Sequence, residues 1–282
     1  MTLQTLLDAW RADPDTGPNI STWRSLPRRP AHLQELPADL PISLSQALNR
    51  RGITHLYSHQ SAAWQKTQTG ENIVVATGTA SGKTLAFQLP VLAAMLENPQ
   101  ARALLLYPTK ALAQDQFSSL NTWLHELRLS SQPAHEIVAA IYDGDTPASR
   151  RSAIRTQTHI LLTNPDMLHM GILPHHTNWE DFFRNLRFIV LDEMHTYRGV
   201  FGSHVANLIR RLKRIANFYG SHPQFILTSA TIGNPSGLAE KLIETPVALI
   251  DEDGSGRGER HFLIYNPPVV DAELGIRKSA VQ

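Results

Sequence analysis

The chain has 282 residues, of which 42% are hydrophobic and 18% are charged, and its formal net charge is +1 at pH 7. This composition is ordinary for a globular protein with a buried core, and a balanced charge excludes a strongly basic domain as the basis of any nucleic-acid binding. The chain has no cysteine, which excludes disulfides and cysteine-bound zinc. No apolar run approaches the roughly 20 residues of a membrane helix, and residues 1–15 do not form a signal peptide, so we expect a cytoplasmic protein.

The first 42 residues are rich in proline and polar residues. They predict a loosely structured N-terminal arm with one short helix, Leu3–Arg11. A second helix is expected at Ser43–Arg51, with an apolar face and with Gly52 as its C-terminal stop.

From Asn72 onward, short β-rich runs alternate with longer helical stretches. The runs are continuously apolar, which is typical of parallel strands covered on both faces. They are Ile73–Ala76, Ala103–Tyr107, Ile137–Ile141, His159–Leu162, Phe188–Leu191 and Phe225–Thr228. The predicted fold class is α/β, a doubly wound and mainly parallel sheet that binds ligands at the carboxyl ends of its strands.

The C-terminal part is less regular. Residues 251–260 are hydrophilic and glycine-rich and predict a loop or hairpin, and Phe262–Tyr265 predicts one further strand. Asn266-Pro267-Pro268 then interrupts regular structure, and residues 271–282 have no assigned partner.

The first predicted strand is followed by the pattern of a phosphate-binding loop. The loop is Thr77-Gly78-Thr79-Ala80-Ser81-Gly82-Lys83-Thr84, and an apolar helix comes next. In such loops backbone amides and the helix N-terminus surround the phosphates of ATP, Lys83 would reach the β and γ phosphates, and the Thr84 hydroxyl would hold Mg²⁺. The strict pattern has glycine where this chain has Thr77, and a turn of small residues before a helix is the alternative interpretation.

A pair of carboxylates ends a buried strand further along the chain. Asp192 and Glu193 follow four apolar residues, and burial of such a pair requires compensation, which Mg²⁺ would supply. We expect Asp192 to bind the metal through water and Glu193 to polarise the attacking water. A solvated strand end is the alternative, but it is disfavoured by the phosphate-binding loop earlier in the same sheet.

Together these elements resemble the DEAD/DEAH-box helicases of superfamily 2, and further segments match the motifs of that family in order. They are His59-Gln60 (the adenine-reading Q motif), 108–116 (motif Ia), 142–145 (a glycine-containing loop), 163–168 (motif Ib), 192–195 (the DExH box) and 229–231 (motif III). The resemblance covers residues 43–268 and implies a RecA-like ATP-binding domain there. Residues 269–282 would begin an interdomain linker or form a truncated tail.

The resemblance also implies roles for individual residues. Gln60 would contact adenine, and His195 would complete the catalytic group of Lys83, Asp192 and Glu193. Ser229, Ala230 and Thr231 would link the nucleotide site to the nucleic-acid surface. That surface would bind single-stranded or tailed duplex DNA through its backbone, without sequence preference and without excluding RNA; its residues would be Thr109, Lys110, Gly144, Thr163 and Asn164.

A narrower resemblance points to the YprA-like, or mitomycin-repair, group of DNA helicases. This resemblance rests on residues 197–206 and on Asn266-Pro267-Pro268. This group translocates 3′ to 5′, takes part in DNA repair, and carries a second RecA-like domain and a C-terminal cysteine-rich zinc domain. Since the 282 residues contain neither, we expect a truncated or split helicase whose second RecA-like domain lies elsewhere, on another chain if the motor is split.

Two other classes remain as alternatives. One is a stand-alone, non-catalytic module that binds ATP or nucleic acid. The other is a small-molecule kinase, which would use the phosphate-binding loop but has no need of motifs Ia, Ib and III.

Overall fold

The computed structural model describes residues 2–129, 136–271 and 273–277. Strands and helices alternate along them as the sequence predicts. The strands, β1 to β13 in chain order, are Ile20–Leu26, Leu33–Glu35, His55–Tyr57, Ile73–Ala76, Arg102–Leu106, Ala139–Ile141, Ile160–Thr163, Leu186–Leu191, Gln224–Ser229, Ala248–Ile250, Arg260–Tyr265, Val269–Asp271 and Ile276–Arg277. The helices, α1 to α10, are Leu3–Ala12, Ile42–Arg50, Ser58–Gln68, Lys83–Glu97, Lys110–Leu129, Ala148–Gln157, Pro165–Met167, Glu180–Arg184, Gly199–Phe218 and Pro235–Ile243.

The chain divides into two compact units. One consists of His32–Ser255, and the other combines Met1–Ala31 with Gly256–Gln282. These limits differ from the motif-based limits of 43 and 268, because the units follow packing and the motifs follow chemistry.

The larger unit is built on a sheet of parallel strands in the order β10-β4-β9-β8-β5-β7-β6. All six predicted apolar runs form strands of this sheet, with limits that shift by no more than two residues. The predicted α/β fold class is therefore confirmed. Strand β10 was not predicted, because three residues after a proline give too short a pattern.

Alternate residues of the strands enter two hydrophobic layers on opposite faces of the sheet. Helices α2 to α5 cover one layer, whereas α8 to α10 cover the other. Strands β4, β5, β7 and β9 are buried at every residue, which explains why their sequences are apolar without alternation.

The carboxyl ends of these strands share one edge of the sheet. Ala76 pairs with Ser229, Leu191 with Leu227, and Leu106 with both Leu191 and Thr163. The loops that follow β4, β5, β7, β8 and β9 therefore emerge side by side, and these loops carry most of the predicted site residues.

The smaller unit corrects one expectation. Helix α1 is present as predicted, but residues 20–26 are not loosely structured, since β1 pairs antiparallel with β11 and Trp23 lies opposite Leu263. The Arg11 guanidinium lies 4.2 Å from the centre of the Trp23 ring. The partner strands lie at opposite ends of the chain, so no local pattern signals their pairing.

The remaining predictions are partly confirmed. The predicted helix at 43–51 is α2, and the predicted strand at 262–265 lies within β11. Residues 251–259 form a loop, in which Arg257 bridges to Arg29. The unassigned end contains the short pair β12 and β13, whereas residues 272 and 278–282 lie outside the described residues.

Candidate nucleotide-binding site and nucleic-acid interface

The loop between β4 and α4 has the backbone shape of a phosphate cradle. Gly82 has a φ of +83°, a left-handed conformation that favours glycine, and a Cβ there would lie 2.6 Å from the Gln60 side-chain nitrogen and displace it. Ala80 also has a positive φ, 59°, which is strained for a residue with a side chain. The hydroxyls of Thr77 and Ser81 form a 2.7 Å hydrogen bond within the loop. The threonine at the first position of the motif therefore has a structural role.

Lys83 points back into this loop. Its Nζ donates to the carbonyl oxygens of Thr77 and Gly78 at 3.0 and 2.8 Å. Burial lowers the pKa of the ammonium, and the negative charges of Glu193 and Asp192 oppose that shift. The β4 loop and the end of β8 therefore bring one cation and two carboxylates together.

Asp192 is buried at the end of β8. Its Oδ1 accepts hydrogen bonds from the Thr228 hydroxyl and, at 3.0 Å, from the Glu193 amide. Burial raises the pKa of Asp192 above its ordinary value, although the Thr228 bond acts in the opposite direction. Thr228 was not predicted; its signal in the sequence is its place in β9, next to Ser229-Ala230-Thr231.

Glu193 adopts a left-handed backbone conformation, with a φ of 50°, and its side chain is half-buried. Its Oε2 lies 3.1 Å from Nδ1 of His195, and the same nitrogen lies 3.3 Å from the amide of Ala230, from which it accepts. One nitrogen cannot accept from an amide and donate to a carboxylate at once. With a proton on Nδ1, His195 donates to Glu193; without that proton, Nδ1 accepts from the Ala230 amide. His195 therefore joins the acidic pair to the segment 229–231, in which Ser229 is buried and Thr231 is exposed.

Gln60 connects the predicted Q motif to the phosphate-binding loop. Its Oε1 accepts from the Tyr57 amide at 2.9 Å, and its Nε2 donates to the Gly82 carbonyl at 3.0 Å. A cavity of about 460 Å³ opens beside it, lined by Tyr57, Gln60, Gly82, Thr84 and Trp123 among others. Its size and its mixed apolar and polar lining suit a small organic ligand.

Three further groups near the nucleotide site were missed by sequence reasoning. Asp253, in the loop after β10, acts on the pKa values of both Lys83 and His59. The hydroxyls of Tyr107 and Tyr197 are buried without a hydrogen-bond partner among the described residues. A buried hydroxyl without a partner lowers the stability of the fold by about 1–3 kcal/mol. No sequence pattern predicts such a group.

The predicted nucleic-acid residues follow β5, β6 and β7. Lys110 Nζ forms an ion pair with Asp145 Oδ2 at 2.8 Å, and a Cβ on Gly144 would lie 3.5 Å from that Nζ. Thr109 is exposed at the start of α5, where its hydroxyl accepts from the Leu112 amide at 3.3 Å. Motif Ia and the glycine-containing loop therefore form one surface.

The two residues of motif Ib differ from each other. Asn164 is partly exposed, and its side chain accepts from the Met167 amide at 2.8 Å as the cap of a helical turn. Thr163 is buried, and its hydroxyl donates to the Tyr142 carbonyl at 2.6 Å. The Thr163 side chain therefore faces into the sheet and supports the loop that begins at Tyr142, so its predicted role at the nucleic-acid surface does not involve its hydroxyl in this structure.

A parallel α/β domain with a phosphate-binding loop after β4 and an acidic pair after β8, on the two sides of β9, defines a RecA-like P-loop NTPase fold. The family model of the DEAD/DEAH box helicases matches residues 57–237. The chain belongs to that family.

Relatives and a solved structure agree with this assignment. The chain is 52% identical to the ATP-dependent helicase YprA of Bacillus subtilis over 93% of its own length and 34% of that protein. It is 38% identical to the ATP-dependent helicase HRQ1 of Saccharomyces cerevisiae over 87% of this chain and 22% of that protein. The crystal structure of the DUF1998 helicase MrfA bound to DNA matches with a TM-score of 0.91 and 49% identity, over 99% of this chain and 36% of that one.

The resemblance to the YprA-like group is thereby confirmed, and the chain spans about a third of that relative's length. Within the described ranges, none of the helices has both the length and the apolar character of a membrane span.

Proposed function

We propose that this chain is the ATP-binding half of an ATP-dependent DNA helicase of superfamily 2, of the 3′ to 5′ repair type and located in the cytoplasm. Residues 43–268 would form the ATP-binding domain. The observation that carries the proposal is the convergence of Lys83, Asp192 and Glu193 at one sheet edge, where the two carboxylates act on the buried ammonium.

The residues present fit Mg·ATP. The left-handed backbone at Gly82 shapes the loop of residues 77–84, and the loop amides and the N-terminus of α4 suit phosphate. Asp192 is a buried carboxylate with a raised pKa, an arrangement that a cation would stabilise. Thr84 and Asp192 would hold Mg²⁺, directly or through water, and the metal, when bound, would neutralise charge on the phosphates.

The catalytic roles follow from this arrangement. Lys83 would leave the carbonyls of Thr77 and Gly78 to bind the β and γ phosphates, because phosphate is the stronger acceptor. Glu193 would orient and polarise the attacking water. His195 would transmit the state of Glu193 to residues 229–231 through the choice of partner at its Nδ1.

A DNA strand would lie across the ends of β5, β6 and β7. Lys110 would contact phosphate once it leaves Asp145, and Thr109, Gly144 and Asn164 would add backbone and polar contacts. Thr163 would act through the Tyr142 carbonyl that it supports. These contacts suit the sugar–phosphate chain, so binding would be independent of sequence.

Hydrolysis and unwinding would require a second RecA-like domain. In related NTPases an arginine from outside the phosphate site stabilises the transferred charge and contributes about 10³-fold or more in rate. We propose that this domain, in the same protein or on another chain, closes on the sheet edge that carries Lys83 and Glu193.

Calorimetric titration with Mg·ATP, with and without single-stranded DNA, tests the proposal without the second domain. Wild-type chain should bind both ligands, whereas Lys83→Ala should lose Mg·ATP binding and keep its circular dichroism spectrum. Binding of DNA without any binding of Mg·ATP would instead identify a nucleic-acid-binding module, and no binding of either ligand would reject the proposal.

A further inference from the structure

Two tyrosine hydroxyls in the larger unit lack a hydrogen-bond partner among the described residues. They belong to Tyr107, directly after β5, and Tyr197, directly after the 3₁₀ turn Met194–Thr196. Both side chains are buried, at 0% and 1% exposure. Nearly all buried polar groups in proteins are hydrogen-bonded, so a pair of exceptions requires an explanation.

The two hydroxyls lie near the same carboxylate. Burial raises the pKa values of both tyrosines, and the negative charge of Asp192 raises both further. Tyr107 belongs to the hydrophobic layer on one face of the sheet and Tyr197 to the layer on the other. The two tyrosines therefore lie near Asp192 from opposite faces of the sheet.

One oxygen of Asp192 is free to accept. Both of its recorded hydrogen bonds, from Thr228 and from the Glu193 amide, go to Oδ1. Within the part of the chain that the structure describes, Oδ2 has no donor, although two phenolic donors are buried nearby.

We propose that Tyr107 and Tyr197 are positioning residues for Asp192, and that their hydroxyls gain hydrogen bonds at this carboxylate, directly or through its water, when Mg·ATP binds. This inference rests on the proposed function. Lys83 would leave the loop carbonyls for the phosphates when Mg·ATP is bound, and Asp192 would then offer Oδ2 to the two hydroxyls.

The cost of the unpaired hydroxyls favours this assignment over simple packing. Phenylalanine would fill the same space without a buried polar atom, so each hydroxyl destabilises the nucleotide-free state. The hydroxyl becomes favourable only in a state that supplies an acceptor. A carboxylate is a strong acceptor, and hydrogen bonds to ionised groups are about twice as strong as neutral ones.

The test uses Tyr107→Phe and Tyr197→Phe in the 282-residue chain. Thr158→Val is the matched control, because Thr158 also carries a buried, unpartnered hydroxyl but lies just before β7, at the opposite edge of the sheet from Asp192. Thermal unfolding without nucleotide and calorimetric affinity are measured for each variant, with Mg·ATP and with ATP in excess EDTA.

All three variants should unfold at the wild-type temperature or above it. The two tyrosine variants should bind Mg·ATP about tenfold more weakly than wild type, with unchanged affinity for ATP in EDTA. Thr158→Val should bind both ligands like wild type.

Wild-type affinity for Mg·ATP in both tyrosine variants would overturn the proposal. So would a lowered unfolding temperature in the two tyrosine variants, because it would show that the hydroxyls already have partners without nucleotide. Lys83→Ala separates the two levels of inference. If Lys83→Ala loses ATP binding while the tyrosine variants bind normally, only the positioning role fails; if wild-type chain does not bind ATP, the proposed function fails.

Discussion

The hydrogen bond from Thr228 to Asp192 allows a quantitative test of the buried acidic site. Thr228 is fully buried, and its hydroxyl donates to Asp192 Oδ1. Thr228→Val replaces the hydroxyl by a methyl group and leaves that oxygen with only the Glu193 amide. Since hydrogen bonds to charged groups contribute about 1.5–3 kcal/mol, we expect the free energy of unfolding to fall by about that amount when Asp192 is ionised.

The loss should depend on pH in a defined direction. The folded-state pKa of Asp192 is raised above its ordinary value of 3.8, so the folded state binds this proton more tightly and stability falls as pH rises through the raised value. The Thr228 bond holds this pKa down, so Thr228→Val raises it further. The variant should therefore lose most stability above both folded pKa values and least below them, where Asp192 is protonated.

Urea unfolding across a pH series, compared between its lowest and its highest pH, measures this difference. Thr163→Val is the control, because its buried hydroxyl donates to the neutral carbonyl of Tyr142 at 2.6 Å. The control should lose about 1 kcal/mol at both pH values. An equal loss for Thr228→Val at the two pH values, or a larger loss at the lower one, would refute the view that Thr228 stabilises a buried carboxylate.

Four further outcomes are expected. Lys83→Ala should weaken Mg·ATP binding at least about tenfold by calorimetry, since charge-assisted hydrogen bonds to phosphate are lost; wild-type affinity would contradict the phosphate-binding role. Glu193→Gln should keep Mg·ATP affinity but abolish DNA-stimulated hydrolysis, alone or with an added second RecA-like domain, and a wild-type rate would remove Glu193 from catalysis. Asp145→Asn frees Lys110 from its ion pair, so fluorescence anisotropy should show a two- to fivefold gain, roughly, in affinity for single-stranded DNA. Lys110→Ala should reduce the slope of log affinity against log salt by roughly 0.7, whereas an unchanged slope in that variant would mean that Lys110 does not contact phosphate.

The features that were predictable from sequence are those encoded by neighbouring residues. The buried strands are recognisable as apolar runs. The phosphate-binding loop and Asp192-Glu193 each consist of consecutive residues next to such a run. In a parallel sheet, residues that follow the strands must meet at one edge. The positions of the strands were therefore sufficient to predict that Lys83 and Asp192 lie close together, as the effect of Asp192 on the pKa of Lys83 indicates.

Features that depend on distant residues or on side-chain direction were not predictable. The pairing of β1 with β11 joins the two ends of the chain, and Asp253 reaches the neighbourhood of Lys83 from a loop with no motif. The burial of the Thr163 side chain was not predictable, because a motif match gives the position of a residue but not the face of the strand from which its side chain points. Its neighbour Asn164 lies beyond the strand end and is partly exposed.

The strand order divides the sheet edge into two functional halves. Strands β4, β9 and β8 carry the candidate nucleotide residues, whereas β5, β7 and β6 are followed by the candidate DNA residues. The halves meet where β8 lies beside β5, and there the Asp192 amide donates to the Leu106 carbonyl at 3.0 Å. The next residue, Tyr107, donates its amide to the Thr163 carbonyl at 3.0 Å and immediately precedes motif Ia. A change at Asp192 would therefore reach motif Ia through one backbone hydrogen bond to Leu106 and the adjacent Tyr107, whose hydroxyl is unpaired among the described residues.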